Sequence, residues 1–174
     1  MIARRKLILS GAAAMLAATL PRHTYAADDP TAILTAIYTR VIKGKGDGGG
    51  TFVIDGKAAR ARYLSNSLAT LWNKADARIR KGDGGPVGFD PVTNSQDPDV
   101  KSYTIAAEKQ AGDKATMAVT IEAHQRNART NAADKIIRYD FVLEGGQWKI
   151  DDIKGAVDGS PWSVRALLVD SFKY

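Results

Sequence analysis

The sequence predicts an α+β fold, with helices first and an antiparallel sheet after them. Three observations carry this. Up to about Lys81 the apolar residues recur at helical spacing. From Val100 to Ile150 they alternate with polar ones at a period of two. A last apolar stripe at helical spacing follows Ser160-Pro161. A half-buried sheet must cover its apolar face, and amphipathic helices are the cover this chain has.

The chain opens on a segment that is not part of that fold. Met1 to Ala26 has the layout of an export signal: basic Arg4, Arg5 and Lys6, an alanine-rich apolar run from Leu7 to Leu20, and small residues at Thr24 and Ala26. The run is too short and too weakly apolar for a membrane span. Arg4-Arg5 also resembles a twin-arginine signal, although Ala3 and Leu7 stand where Ser or Thr and Phe are usual. The Sec and twin-arginine routes both stay open. Cleavage after Ala26 leaves residues 27–174 as one α+β domain, periplasmic or secreted from a bacterium. It also removes Arg4, Arg5, Lys6 and Arg22 and no acid, so a formal net charge of +6 falls to near +2. No basic run with interleaved aromatics remains, which argues against nucleic acid as a partner.

Asp29-Pro30 opens the first helix, Asp as cap and Pro at the first helical position. Ile33, Leu34, Ile37, Tyr38 and Val41 give its stripe, and Lys43-Gly44 ends it. A second helical stretch runs from about Gly56 to Lys81 with Leu64, Leu68, Leu71, Trp72, Ala75 and Ile79 on one face. Ser65 is a plausible internal cap that would split it in two. The pentapeptide Lys45 to Gly49 recurs as Lys81 to Gly85. A phosphate-binding loop would need a strand before it and a Gly-Lys-Ser/Thr ending; here the glycines follow helices and read as helix stops.

Tyr103, Ile105 and Ala107 begin the alternation, and a turn at Ala111 to Lys114 follows. Ala115, Met117, Val119, Ile121 and Ala123 continue it, then Ile137, Tyr139, Phe141 and Leu143. Gly145-Gly146 signals a hairpin onto Trp148 and Ile150. The period then slips at Asp151-Asp152, which suggests a bulge or the end of the buried face. The expectation is four antiparallel strands, closed by a helix that starts at Ser160-Pro161 and buries Val164, Leu167, Leu168 and Phe172.

The absence of cysteine excludes disulfides, thiol nucleophiles and thiolate metal sites. Of two histidines one lies in the leader, which leaves His124 alone for any Ser-His-Asp device, with no nucleophile motif beside it. Asp97-Pro98-Asp99 and Asp151-Asp152 lack the spacing of a calcium loop. No metal, cofactor or catalytic residue is expected from these patterns.

The most distinctive segment is Gly88-Phe89-Asp90-Pro91-Val92-Thr93-Asn94-Ser95-Gln96-Asp97. With Tyr63 to Leu68 before it and Trp148-Lys149-Ile150-Asp151-Asp152-Ile153 after it, the chain resembles the bacterial domain-of-unknown-function family 3828 from about Pro30 to Phe172. Those exported proteins are similar to the nuclear transport factor 2-like superfamily. The resemblance implies a cone-shaped domain, N-terminal helices packed on a curved four-stranded antiparallel sheet around a pocket. It implies no established activity, and a fold does not decide one.

In such a cone the Phe89–Asp97 loop would border the opening. In a structural reading Asp90 and Asp97 both cap backbone amides; in a functional one Asp90 is the better ligand-binding candidate, with Gln96, Tyr103, Asp97 and Asp152 beside it, and Asp97 is expected to act as a cap. Phe89, Trp72, Trp148 and Trp162 are expected as structural anchors. The function read from this is an exported module that binds a small molecule or a periplasmic protein without chemistry, as monomer or homodimer. Two alternatives stand beside it: an immunity or inhibitor protein against a cell-wall-directed toxin, and a cone-pocket enzyme using Asp90 and Asp152 as acid and base.

Overall fold

A computed structural model of the chain describes residues 29–44, 49–80, 84–124 and 131–173. The leader, the first four residues of one glycine-rich pentapeptide and the first three of the other lie outside the described residues.

Helix α1 spans Pro30–Lys43. The Asp29 side chain accepts from the Thr31 amide at 2.6 Å, and Gly44 closes the far end. Its buried face is Leu34, Ile37, Tyr38 and Val41. Ser65 does divide the second stretch: α2 is Gly56–Tyr63 and α3 is Asn66–Asp76. The Ser65 hydroxyl accepts from the Leu68 amide at 3.0 Å, so the α3 N-terminus is capped and its Leu68–Trp72–Ala75 face is set inward.

Strands β1 (Ser102–Ala111), β2 (Lys114–Glu122), β3 (Ile136–Glu144) and β4 (Gln147–Val157) follow as an antiparallel meander. The slip at Asp151-Asp152 is a bulge: Asp140 faces Asp152 and Phe141 faces Ile150, with Asp151 left over. A second irregularity leaves Glu108 over between Ala107 and Lys109 in β1.

Two expectations are corrected. The sheet has five strands, not four. Ser160-Pro161 does not open the last helix; Ser160–Ser163 is β5, paired antiparallel with β4 from Lys154 to Val157. Asp158-Gly159 makes the turn, with φ of 50° and 77°. Two successive residues at positive φ are what a tight two-residue hairpin of matching twist requires. Ser163 is then the true cap of α4 (Val164–Asp170), its hydroxyl accepting from the Ala166 amide at 3.2 Å.

The cone around a pocket is corrected as well. The sheet is a plain β1-β2-β3-β4-β5 meander. Its helix-facing side is filled with side chains: Tyr38, Leu68, Trp72, Val119, Tyr139, Phe141, Ile153 and Leu168 are all 4% exposed or less. Aromatic residues from α1 and β3 occupy the space that a ligand would need. Tyr38 and Tyr139 share a hydrogen bond of 2.9 Å between hydroxyls, and Tyr38 also donates to the Val92 carbonyl at 2.7 Å. The opposite face carries Thr104, Thr116, Thr120, Arg138 and Asp140.

Candidate functional site

The Phe89–Asp97 loop is built on Asp90. Its backbone pairs with Ser95 in an isolated antiparallel bridge, and Asn94 turns the chain at φ 53°. The Asp90 carboxylate is 5% exposed and accepts from the Gly50 amide at 2.7 Å, the Val92 amide at 2.9 Å and the Thr93 hydroxyl at 2.7 Å. Burial pushes its pKa above the ordinary value, and these bonds only partly offset that. Both carboxylate oxygens are spent on the chain's own donors. Asp90 thus caps backbone amides and ties the loop together, the structural of the two roles the sequence leaves open for it.

The other candidates divide. Asp152 is buried and caps α4: it accepts from the Ser163 hydroxyl at 2.7 Å and the Arg165 amide at 3.1 Å. Tyr103 is half-buried, its ring 5.2 Å from that of Tyr38 and its hydroxyl bonded to Thr39 at 3.1 Å, which pins β1 to α1. Gln96 and Asp97 are exposed. Asp97 is not the cap expected of it: its amide donates to the Ser95 hydroxyl, and its carboxylate has no partner among the described residues. Asp90 sits in the Phe89–Asp97 loop and Asp152, in β4, meets the start of α4, each bonded to the chain's own donors.

Of the expected anchors, Trp72 is buried beneath the Arg60 guanidinium, and Trp148 is half-buried. Phe89 packs edge-on against Trp162 at 4.9 Å, half-buried rather than driven into the core. Sequence reasoning missed Asn94. It is buried, its amide donates to the carbonyls of Asp134 and Ala156 at 3.0 and 2.7 Å, and its oxygen accepts from Trp162 at 3.0 Å. Asn in a Val-Thr-Asn-Ser run, a residue type that readily takes a positive φ, is the signal that could have found it.

Concavities among the described residues open to solvent. A small one of about 160 Å³ lies near Asp97, Asp99, Asp134 and Asp158. Asp134 is committed to the amides of Asp158 and Gly159 at 3.0 Å each, and Asp99 meets His124 at 2.6 Å. Among the described residues no group of acids, histidines or cysteines could hold a metal ion.

The larger concavity, about 650 Å³, lies at the other end of the sheet on its outer face. Lys109, Thr116 and Asp140 form one cross-strand row there, which buried Asp152 continues beyond the opening. Asp140 is held by Thr116 at 2.9 Å and by Lys154 at 2.5 Å. Asp151 takes the guanidinium of Arg165 and the Ser65 hydroxyl, the latter at 2.6 Å. Glu144 accepts from the Asn66 amide at 3.0 Å. Lys109 and Lys114, both exposed, have no side-chain partner among the described residues.

No family model matches the chain, and no curated protein matches it. Among solved structures, a chain in the crystal structure of the type VI native effector–immunity complex Tae3–Tai3 from Ralstonia pickettii is similar to it. That chain is 18% identical, with a TM-score of 0.49, over 75% of this chain and 98% of its own length. Among the described residues, no helix is long and apolar enough to cross a membrane.

Proposed function

We propose that this protein is a binding module that recognises a protein partner through its surface, without chemistry of its own. The observation that carries this reading is the filled interior: Tyr38 and Tyr139 are fully buried where a cone pocket would lie. A small molecule is held by burying most of its surface in a concave, mainly apolar site. The 650 Å³ groove is instead open and lined by charged side chains, which suits another protein's surface. The carboxylates that an enzyme would need, Asp90 and Asp152, are consumed by backbone and hydroxyl donors.

The finer form of the proposal is that the partner is a cell-wall-directed toxin and this protein its immunity factor. Blocking a toxin needs surface recognition and no active site. The export layout of Met1 to Ala26 would place the protein in the compartment of the cell wall.

The test is site-specific photo-crosslinking in the living host, with the reactive residue at Ala111, Gln96, Arg78 and Val169 in turn. A discrete protein adduct at a cluster of positions is the expected result. No protein adduct at any position would reject the reading. For the finer form, the adduct's protein partner is expressed in the periplasm of a host lacking this protein. Lysis that the wild-type chain prevents is expected; a harmless partner would reject the immunity role.

A further inference from the structure

Resting on the binding-module reading, we infer that the groove on the outer face of the sheet docks an acidic segment of the protein partner, with Lys109 and Lys114 as its charged anchors. Charge complementarity identifies the occupant. The acids at the groove are engaged inside this chain: Asp140 is paired with Lys154, Asp151 with Arg165, and Glu144 accepts from the first amide of α3. The two cations on the β1–β2 side have no such counterpart among the described residues. What the groove leaves unsatisfied is positive, and an aspartate- or glutamate-bearing segment supplies the missing sign.

The backbone places those cations deliberately. Residues of a strand alternate between faces, so after Tyr103, Ile105 and Ala107 a regular β1 would turn Lys109 to the helix side. The extra residue Glu108 shifts the register, and Lys109 instead faces Thr116 on the outer row. A bulge re-aims a side chain in this way, and bulges concentrate at functional sites. Glu108 itself is tied to Arg138, 2.9 Å from Nε, which holds the shifted register. The second bulge, at Asp151, lies on the other side of the same Lys109–Thr116–Asp140–Asp152 row. Bulges bend the strand that carries them and increase its twist, so the concavity falls where both sit. Asp151 and Ser67 then bound it from the helix side.

The groove also has room for a chain. Beyond Ile105, β1 is exposed on both faces, so the groove is open along the side where Lys109 stands. A segment can lie over Thr116 and Lys114 without displacing any part of the fold.

The test uses fluorescein-labelled hexaglutamate as probe on the purified chain, read by anisotropy and by amide NMR shifts. Saturable binding is expected, with shifts at Lys109, Lys114 and Thr116 and weakening as salt rises. The variant K109E/K114E should lose at least tenfold in affinity while keeping its melting temperature, and K109R/K114R should keep binding. Shifts that map elsewhere, or an undiminished K109E/K114E, would overturn the inference. So would an oligothymidine of equal charge binding as tightly, since the groove would then read polyanions in general. In the host, a partner adduct from Gln96, Arg78 or Val169 but not from Ala111 would overturn the groove and leave the module reading standing. No adduct from any position would overturn both.

Discussion

The loop from Phe89 to Asp97 and the outer face of the sheet both gather polar and charged side chains, but they use them in opposite ways. In the loop, the polar groups of Asp90, Thr93 and Asn94 are buried. Asp90 binds three donors, Asn94 bridges Asp134, Ala156 and Trp162, and Val92 is fully buried under the Tyr38 hydroxyl. On the sheet, the acids satisfy one another's neighbours at the surface and two lysines are left facing solvent. A buried polar group must be paired or cost about 1–3 kcal/mol, so the loop's residue types are dictated by its own fold. An exposed lysine carries no such demand, which leaves it available for a partner.

Variants in the two regions should therefore separate cleanly. The shared core sets the scale: Leu68→Ala, at a fully buried position, should cost about 2–5 kcal/mol in chemical denaturation. Gly50→Ala comes next. A Cβ there would meet the Val92 Cβ at 2.2 Å, so the loop must shift from its anchor on Asp90. Overpacking of this kind costs about 1–3 kcal/mol, and an unchanged melt would show that the loop is less tightly held than described. Asp90→Ala should cost about 1–3 kcal/mol by stranding the Gly50 and Val92 amides and the Thr93 hydroxyl.

The pH dependence of that carboxyl has a fixed sign. Burial raises its pKa in the folded chain, so the folded state binds the proton more readily than the unfolded one. Its contribution is present in full below the ordinary carboxylate range and is lost as pH rises through the raised value. Against Asp90→Asn, which does not titrate, the wild type should gain in relative stability from neutral pH down to about pH 4. A relative loss on acidification would mean that the bonds to Asp90 outweigh its burial. The smallest effect belongs to Asp97→Asn, which should change stability by no more than about 0.5 kcal/mol, as exposed substitutions usually do.

Much of the fold was legible from the residues. Asp29-Pro30 and Ser65 start helices by satisfying amides that have no partner within the helix, and such caps use few residue types. The slip at Asp151-Asp152 showed as a break in alternation because a bulge costs one residue of phase. The fifth strand escaped notice because Ser160-Pro161 also has the form of a helix start, although Asp158-Gly159 two residues earlier is a strong hairpin signal.

The candidate site was less legible. Phe89 to Asp97 is distinctive because burial constrains it. Which of Asp90 and Asp97 caps the loop is not legible from spacing, since side-chain direction in an irregular loop does not follow from it. The lysine groove has almost no signature in one dimension. Lys109, Lys114, Asp140 and Asp151 come from four strands and are joined only by register. The shift that turns Lys109 outward depends on a bulge in a run whose alternation had already faded past Ala107.

The most direct test of the division between these regions is the yield of partner adduct from a photo-crosslinker at Ala111, compared between wild type and K109E/K114E below the melting temperature of both. The expected result is a strong adduct in the wild type and at least a tenfold loss in the variant, whose melt is unchanged. An equal yield from both proteins would contradict it, and would place recognition away from the outer face of the sheet.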